Sequence, residues 1–242
     1  AAKEKLPKKL LVHGFIQGEG GFKMSKSLGN FIDPLEITRI YPVDSIRYFL
    51  LREIPMGSDG AFSLKALEER HNNELVNDLG NLLSRTVSMF EKYCENKIPT
   101  KQKDELCKKL KIKKITQSIE KYELHMALAE IWKFINECNK YINDKKPWEI
   151  VKKNPKKVEG VLYNLAEALR YLSILLEPFM PSTTEKIRCS LGIKNNQTIK
   201  DLKYGMLRGN TIVKGEYLFT KIEEKKEMAN EKKEVSIKES IP

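Results

Sequence analysis

The stretch best equipped for chemistry runs Gly20-Gly21-Phe22-Lys23-Met24-Ser25-Lys26-Ser27-Leu28-Gly29-Asn30. Two lysines three residues apart alternate with serine hydroxyls, and glycines flank the run on both sides. Ammonium groups and hydroxyls together suit phosphate oxygens. Glycine flanks permit backbone angles and close ligand approach that other residues resist. The run reads as a mobile, phosphate-handling loop, although a lysine pair alone is more often a solvated basic turn. His13, beside Gly14, either borders such a site or is a histidine satisfied at a strand end. A second set, Asn73, Asn77, Asn81 and Arg85, recurs at steps of four and so lies along one flank of a helix. Asparagine is a poor helix former. A row of them suggests hydrogen-bonding work, with plain surface exposure as the alternative. Trp148 follows Pro147 in a lysine-rich break, where it is expected to be exposed. Trp132, in mid-helix, reads as core.

The totals bound what surrounds these residues. The chain has 242 residues, enough for one large or two ordinary domains with a sizeable core. Its hydrophobic and charged fractions of 40% and 32% suit a globular protein, and it contains no run of ~18 apolar residues. A net charge of +11 favours a polyanionic partner, nucleic acid first among them. Cys94, Cys107, Cys138 and Cys189 lie far apart with no C-x-x-C pair, which gives neither a zinc site nor a disulfide framework. Scattered cysteines suit a reducing cytoplasm. The first residues lack an apolar signal core and begin without methionine, which reads as a fragment.

The elements that must position the candidates follow from periodicity. Leu10 to Ile16 reads as a short buried strand ended by glycine. Pro34 to Ile40 reads as a short helix after a turn at Asp33. Pro42 and Asp44 open an amphipathic helix with Val43, Ile46, Phe49 and Leu50 on its apolar side, and Pro55 to Gly60 is a loop. Ser63 is placed to cap a long helix that buries Leu64, Leu67, His71, Leu75, Leu79, Leu82 and Phe90. A basic stretch, Lys97 to Lys114, leads to a second long helix with Ile115, Ile119, Tyr122, Met126, Ala129, Trp132, Ile135 and Ile142 inward. A third starts at Pro155 and buries Val158, Leu162, Leu165, Leu169, Leu172 and Leu176. Ser182-Thr183-Thr184-Glu185 has capping-box form and begins a fourth that ends near Gly192. The expected fold is mainly α: an antiparallel helical bundle preceded by one strand and loop of an α/β domain.

Lys23 to Ser27 spell KMSKS, which resembles the signature loop of class I aminoacyl-tRNA synthetases. His13-Gly14-Phe15, Asp44-Ser45-Ile46-Arg47-Tyr48, Asp59 to Ser63, Asp78 to Arg85, Lys146-Pro147-Trp148 and Leu218-Phe219-Thr220-Lys221-Ile222 are similar, in order, to the methionyl-tRNA synthetase family. The family's other ATP signature, His-Ile-Gly-His or a close variant, is not in the sequence, and its methionine pocket and metal-binding insertion lie upstream. The resemblance therefore implies the C-terminal portion of a methionine–tRNA ligase that is inactive by itself.

It implies residues 1–62 as the end of a Rossmann-type catalytic domain with a linking element that follows the loop. Residues 63–220 would be the anticodon-binding bundle and 221–242 a charged, disordered tail. It implies Lys26 as the contact to the ATP phosphates, assisted by Lys23, with Met24, Ser25, Ser27, His13 and Gly14 around the nucleotide. ATP enters as its Mg2+ complex, and no metal site is expected in the chain itself. The partners implied are tRNA(Met) with a CAU anticodon, read by Asn81, Arg85 and Trp148, and ATP and methionine bound with the upstream half. Lys140, Lys145, Lys146, Lys152 and Lys153 are placed to hold phosphates of the tRNA, and no membrane is involved. Arg52 and Asp59 lie in the linking element without an assigned role. Two other readings stay open: a tRNA-binding module without chemistry, and a class I synthetase for leucine, isoleucine, valine or cysteine.

Overall fold

The computed structural model describes residues 6–25, 31–195 and 197–222. The chain is mainly helical. A two-residue strand β1 (Ile16–Gln17) precedes helices α1 (Pro34–Ile40) and α2 (Val43–Glu53), and β2 (Gly60–Ala61) pairs with β1 in parallel. Then come α3 (Leu64–Arg70), a π-helical stretch His71–Gly80, and α4 (Asn81–Tyr93). After a basic loop the chain forms α5 (Ile112–Glu120), α6 (Leu124–Lys145), α7 (Pro147–Lys153), α8 (Pro155–Leu175) and α9 (Pro181–Ser190).

Local chemistry sets the helix starts. Asp33 caps α1 by accepting from the Leu35 N–H at 2.8 Å, and Pro34 supplies the first helical position. Ser63 caps α3 through the Ala66 N–H, and Asn154 caps α8 through the Lys157 N–H. Helix α8 forms the centre. Its expected stripe Val158, Leu162, Leu165, Leu169, Leu172 and Leu176 is buried, and helices α4, α6, α7 and α9 pack around it. Trp132 lies in this core, stacked against Tyr48 of α2 with ring centroids 4.3 Å apart. A smaller cluster of Ile37, Tyr41, Phe49, Phe62 and Leu67 joins α1, α2 and α3.

Several expectations are corrected. Leu64, expected inward, stands exposed at the start of α3. Leu10 to Ile16 is not a buried strand: Leu10, Leu11, Val12 and Phe15 are exposed, and only Ile16 and Gln17 pair. Among the described residues β2 is the one strand beside them, so their apolar faces have no sheet to enter. The apolar side of α2 is turned from the expected one, with Val43 exposed and Asp44, Ser45, Tyr48 and Phe49 buried. The second long helix is two, α5 and α6. Tyr122 between them adopts a left-handed φ of 62°, and the Glu123 N–H returns to the Ser118 carbonyl at 2.8 Å. That break exposes Tyr122 and Met126 and turns Ala127, Leu128 and Ile131 inward instead.

The capping box at α9 does not form. Asp44 of α2 does that work from a distance in sequence: one carboxylate oxygen accepts from the Thr183 N–H at 2.7 Å and the Thr183 hydroxyl at 2.8 Å. Arg47, one turn on, donates to the Pro178 and Phe179 carbonyls. Together they clamp α2 to the α8–α9 corner. Asp44→Ala should lower stability by about 1–2 kcal/mol in urea unfolding, the scale of a lost helix cap, and Asp44→Asn should recover part of it. A loss under ~0.3 kcal/mol would show that the contact is dispensable.

Candidate nucleic-acid interface and phosphate loop

The loop rests on a small frame. Gly60 donates its N–H to the Phe15 carbonyl at 3.0 Å and Phe62 donates to Gln17 at 2.8 Å. Asp59 completes the frame by accepting from the Phe15 N–H at 2.7 Å and the Gln17 side-chain amide at 3.3 Å. Gly14 lets this happen. A Cβ there would stand 2.1 Å from the Ser58 carbonyl oxygen, closer than any side chain tolerates. The turn that follows uses Gly20 and Gly21 at φ of 76° and 79°, and the Gly18 N–H closes on the Phe22 carbonyl at 2.8 Å. The glycine reading of this stretch is thus a real backbone requirement.

Lys23 emerges exposed from the turn, with Met24 and Ser25 half-buried behind it. Lys26 and Ser27 lie outside the described residues. His13 is exposed, and its Nδ1 is 2.8 Å from the Gly14 carbonyl oxygen. Sequence reading left Asp59 without a role. Its signal is the Asp-Gly pair at a loop end, where aspartate commonly binds neighbouring backbone.

The second site is built on the helix running from Leu64 to Tyr93. Its middle third is π-helical, and this explains the four-residue stripe. In an α-helix a step of four drifts ~40° around the axis. The wider π turn removes that drift, so His71, Leu75 and Leu79 stay inward while Asn73, Asn77 and Asn81 stay exposed. His71 is held between the Ser45 hydroxyl and the Thr220 carbonyl, each at 2.9 Å, and burial lowers its pKa. Asn72 exchanges two hydrogen bonds with Ile222, which docks the closing residues on the same stretch.

Arg85, one turn after Asn81, is half-buried, and its Nη2 donates to Asn143 Oδ1 of α6 at 2.8 Å. Trp148 approaches from the other side. Lys146 takes a left-handed φ of 45°, Pro147 starts α7, and the indole is left 41% exposed as expected. Arg85 and Trp148 line one cavity of about 480 Å³, floored by Leu83, Val87, Met89 and Leu218. Asn81 stands exposed one turn away and is not in the lining. Asn143, Lys214 and Tyr217 also belong to this region and were missed, because nothing local in their sequence marks them. Of the lysines read as phosphate contacts, Lys140, Lys152 and Lys153 are exposed. Lys145 instead pairs with Glu105 at 2.6 Å, and this contact, aided by Tyr141, holds the Glu105 carboxyl below its ordinary range. Lys146 pairs with Glu149 at 3.4 Å. Among the described residues no group of three or more His, Cys, Asp or Glu is arranged to hold a metal. No helix there is long and apolar enough to cross a membrane.

A family model described as the anticodon-binding domain of tRNA ligase matches residues 109–241, more than half of the chain, and the chain belongs to that family of tRNA ligases. A second model, described as tRNA synthetases class I (M), matches residues 1–87. Within the family its relatives are methionyl-tRNA synthetases. The chain is 46% identical over 244 residues to the methionine–tRNA ligase of Caldanaerobacter subterraneus, covering 96% of this chain and 38% of that protein. It is 42% identical over 239 residues to that of Halalkalibacterium halodurans, covering 93% and 36%. The solved Mycobacterium tuberculosis methionyl-tRNA synthetase in complex with methionyl-adenylate superposes with a TM-score of 0.81 at 31% identity, covering 89% of this chain and 44% of that one. The chain therefore spans less than two fifths of the length of these curated relatives.

Proposed function

We propose that this chain gives a methionine–tRNA ligase two working parts: the KMSKS side of the ATP site and the surface that reads a CAU anticodon. The carrying observation is the convergence of Arg85 and Trp148, far apart in sequence, on one apolar-floored cavity. A splayed base needs a stacking plane and a fork of donors, and those are the two groups that meet here. Asn81, exposed one turn from Arg85, offers a donor and an acceptor to a neighbouring base edge. The names of the relatives favour methionine over leucine, isoleucine, valine or cysteine, and their class favours a ligase over a binder without chemistry.

In this reading residues 1–62 close a Rossmann-type catalytic domain, 63–220 form the antiparallel anticodon-binding bundle, and 221–242 are a tail. The exposed side chains of Leu10, Leu11, Val12 and Phe15 belong against the sheet of that catalytic domain. The reaction joins methionine to ATP, delivered as its Mg2+ complex. Methionyl-adenylate and pyrophosphate form, and the methionyl group then passes to the terminal adenosine of the tRNA. No protein nucleophile is needed. Lys26 and Lys23 neutralise charge on the β- and γ-phosphates as the carboxylate attacks, Met24, Ser25 and Ser27 shape the loop, and His13 and Gly14 border the nucleotide.

Titrating the purified chain with tRNA carrying CAU, and with the same tRNA carrying a changed anticodon, tests the reading. CAU should bind at least about tenfold tighter, and Trp148→Ala should weaken binding of either tRNA by about 5- to 150-fold, as expected for a stacking contact of ~1–3 kcal/mol. Adenylate synthesis should appear only when an upstream catalytic fragment is added. Equal affinity for both anticodons would overturn it.

A further inference from the structure

Tyr217 is the most unusual exposed aromatic outside the loop region. It is 76% exposed, yet it lines the same cavity as Trp148 and Arg85. The segment that carries it is not slack. The Val213 N–H bonds the Ser190 carbonyl at 2.9 Å, Lys214 pairs with Glu91 of α4 at 3.0 Å, and Leu218 is buried in the core. Three residues, Gly215, Glu216 and Tyr217, are therefore strung between fixed points across the mouth of the cavity. Among the described residues, the Tyr217 and Trp148 rings contact neither each other nor another aromatic ring, and the Tyr217 hydroxyl makes no hydrogen bond. An aromatic held over an apolar cavity without a protein partner is costly to keep in water, and tyrosine and tryptophan are the residues that dominate binding sites.

We propose that Tyr217 is a second stacking residue of this site, closing on one face of an unstacked nucleotide base while Trp148 takes the other. This rests on the anticodon reading above. The cavity's apolar floor suits a flat heterocycle, and stacking on a ring tolerates any base because every base has a π-face. Arg85, fixed by Asn143, is then left to read the base edge. Tyr217 adds affinity, and the polar groups supply the choice of base.

The test uses the whole chain and an RNA stem-loop with a CAU anticodon, one loop base at a time replaced by fluorescent 2-aminopurine, which is quenched on stacking. Tyr217→Ala should weaken binding about 10- to 100-fold and relieve part of the quench at one loop position only. Tyr217→Phe should behave as the parent, since the ring and not the hydroxyl does the work. Both variants should unfold at the parent's temperature, because the side chain is outside the core. If Tyr217→Ala matches the parent in affinity and quench while Trp148→Ala loses both, Tyr217 is overturned and the anticodon reading stands. If neither substitution changes binding, both fall.

Discussion

Arg170→Leu should destabilise the chain by about 3–5 kcal/mol, the cost of stripping one partner from a fully buried ion pair. Arg170 and Glu167 are both 0% exposed in the middle of α8, with Nη2 2.8 Å from the carboxylate. The guanidinium also donates to the Asp201 carbonyl at 2.8 Å and the Lys203 carbonyl at 2.7 Å. Glu167 in turn accepts from the Leu207 N–H at 2.9 Å and the Tyr163 hydroxyl. One charged pair thus replaces secondary structure for residues 201–207, which have little of their own. Without the arginine, Glu167 keeps a buried charge or takes up a proton, and two carbonyls lose their donors. Lysine cannot rescue it, having no planar fork to reach three acceptors. The double variant Arg170→Leu, Glu167→Leu should recover a large part of the loss, since removing both charges is far cheaper than removing one. Urea midpoints for the three variants decide it. A single-variant loss below ~1 kcal/mol would mean that water reaches the pair.

On the proposed function, Lys26→Ala in the complete enzyme should slow adenylate formation about 100-fold or more. One good donor to charge that develops in the transition state contributes about 3–4 kcal/mol. The loss should fall on kcat more than on the KM for ATP, because the contact tightens as pyrophosphate leaves. Lys23→Ala should cost less. Unchanged ATP–pyrophosphate exchange in Lys26→Ala would remove Lys26 from the mechanism. The frame below the loop explains why the lysine needs its neighbours. Asp59 and Gly14 hold the start of the strand that leads towards the loop.

Much of this was legible in the sequence where one residue's environment is set by its neighbours along the chain. The bounds of α1, the stripe of α8, and the split between a core Trp132 and an exposed Trp148 all follow from period, proline and charge. Failures came where a distant residue decides. Asp44 outcompetes the local capping box because its carboxylate is buried beside Thr183, which no local pattern reveals. Arg170 sits between Leu169 and Tyr171 and gives no sign that its partners are loop carbonyls some thirty residues on. Leu10 to Ile16 reads as a buried strand because its composition suits one, yet burial needs a neighbouring sheet. Of the anticodon set, the helical spacing of Asn81 and Arg85 was visible, but not Asn143, which turns Arg85 toward the cavity from another helix.

The π-helical turns between His71 and Gly80 make the distance from loop frame to the proposed reading surface a matter of phase as well as length. Each residue of an α-helix turns the next by ~100°. Stretching the turn over this span advances α4 by less than an α-helix would, and that offset is what points Arg85 at Asn143. Loops elsewhere in the chain can gain or lose a residue and keep their ends in place. Here a single deletion would rotate the proposed reading face about the helix axis and carry the buried Leu82, Leu83, Val87 and Phe90 round with it.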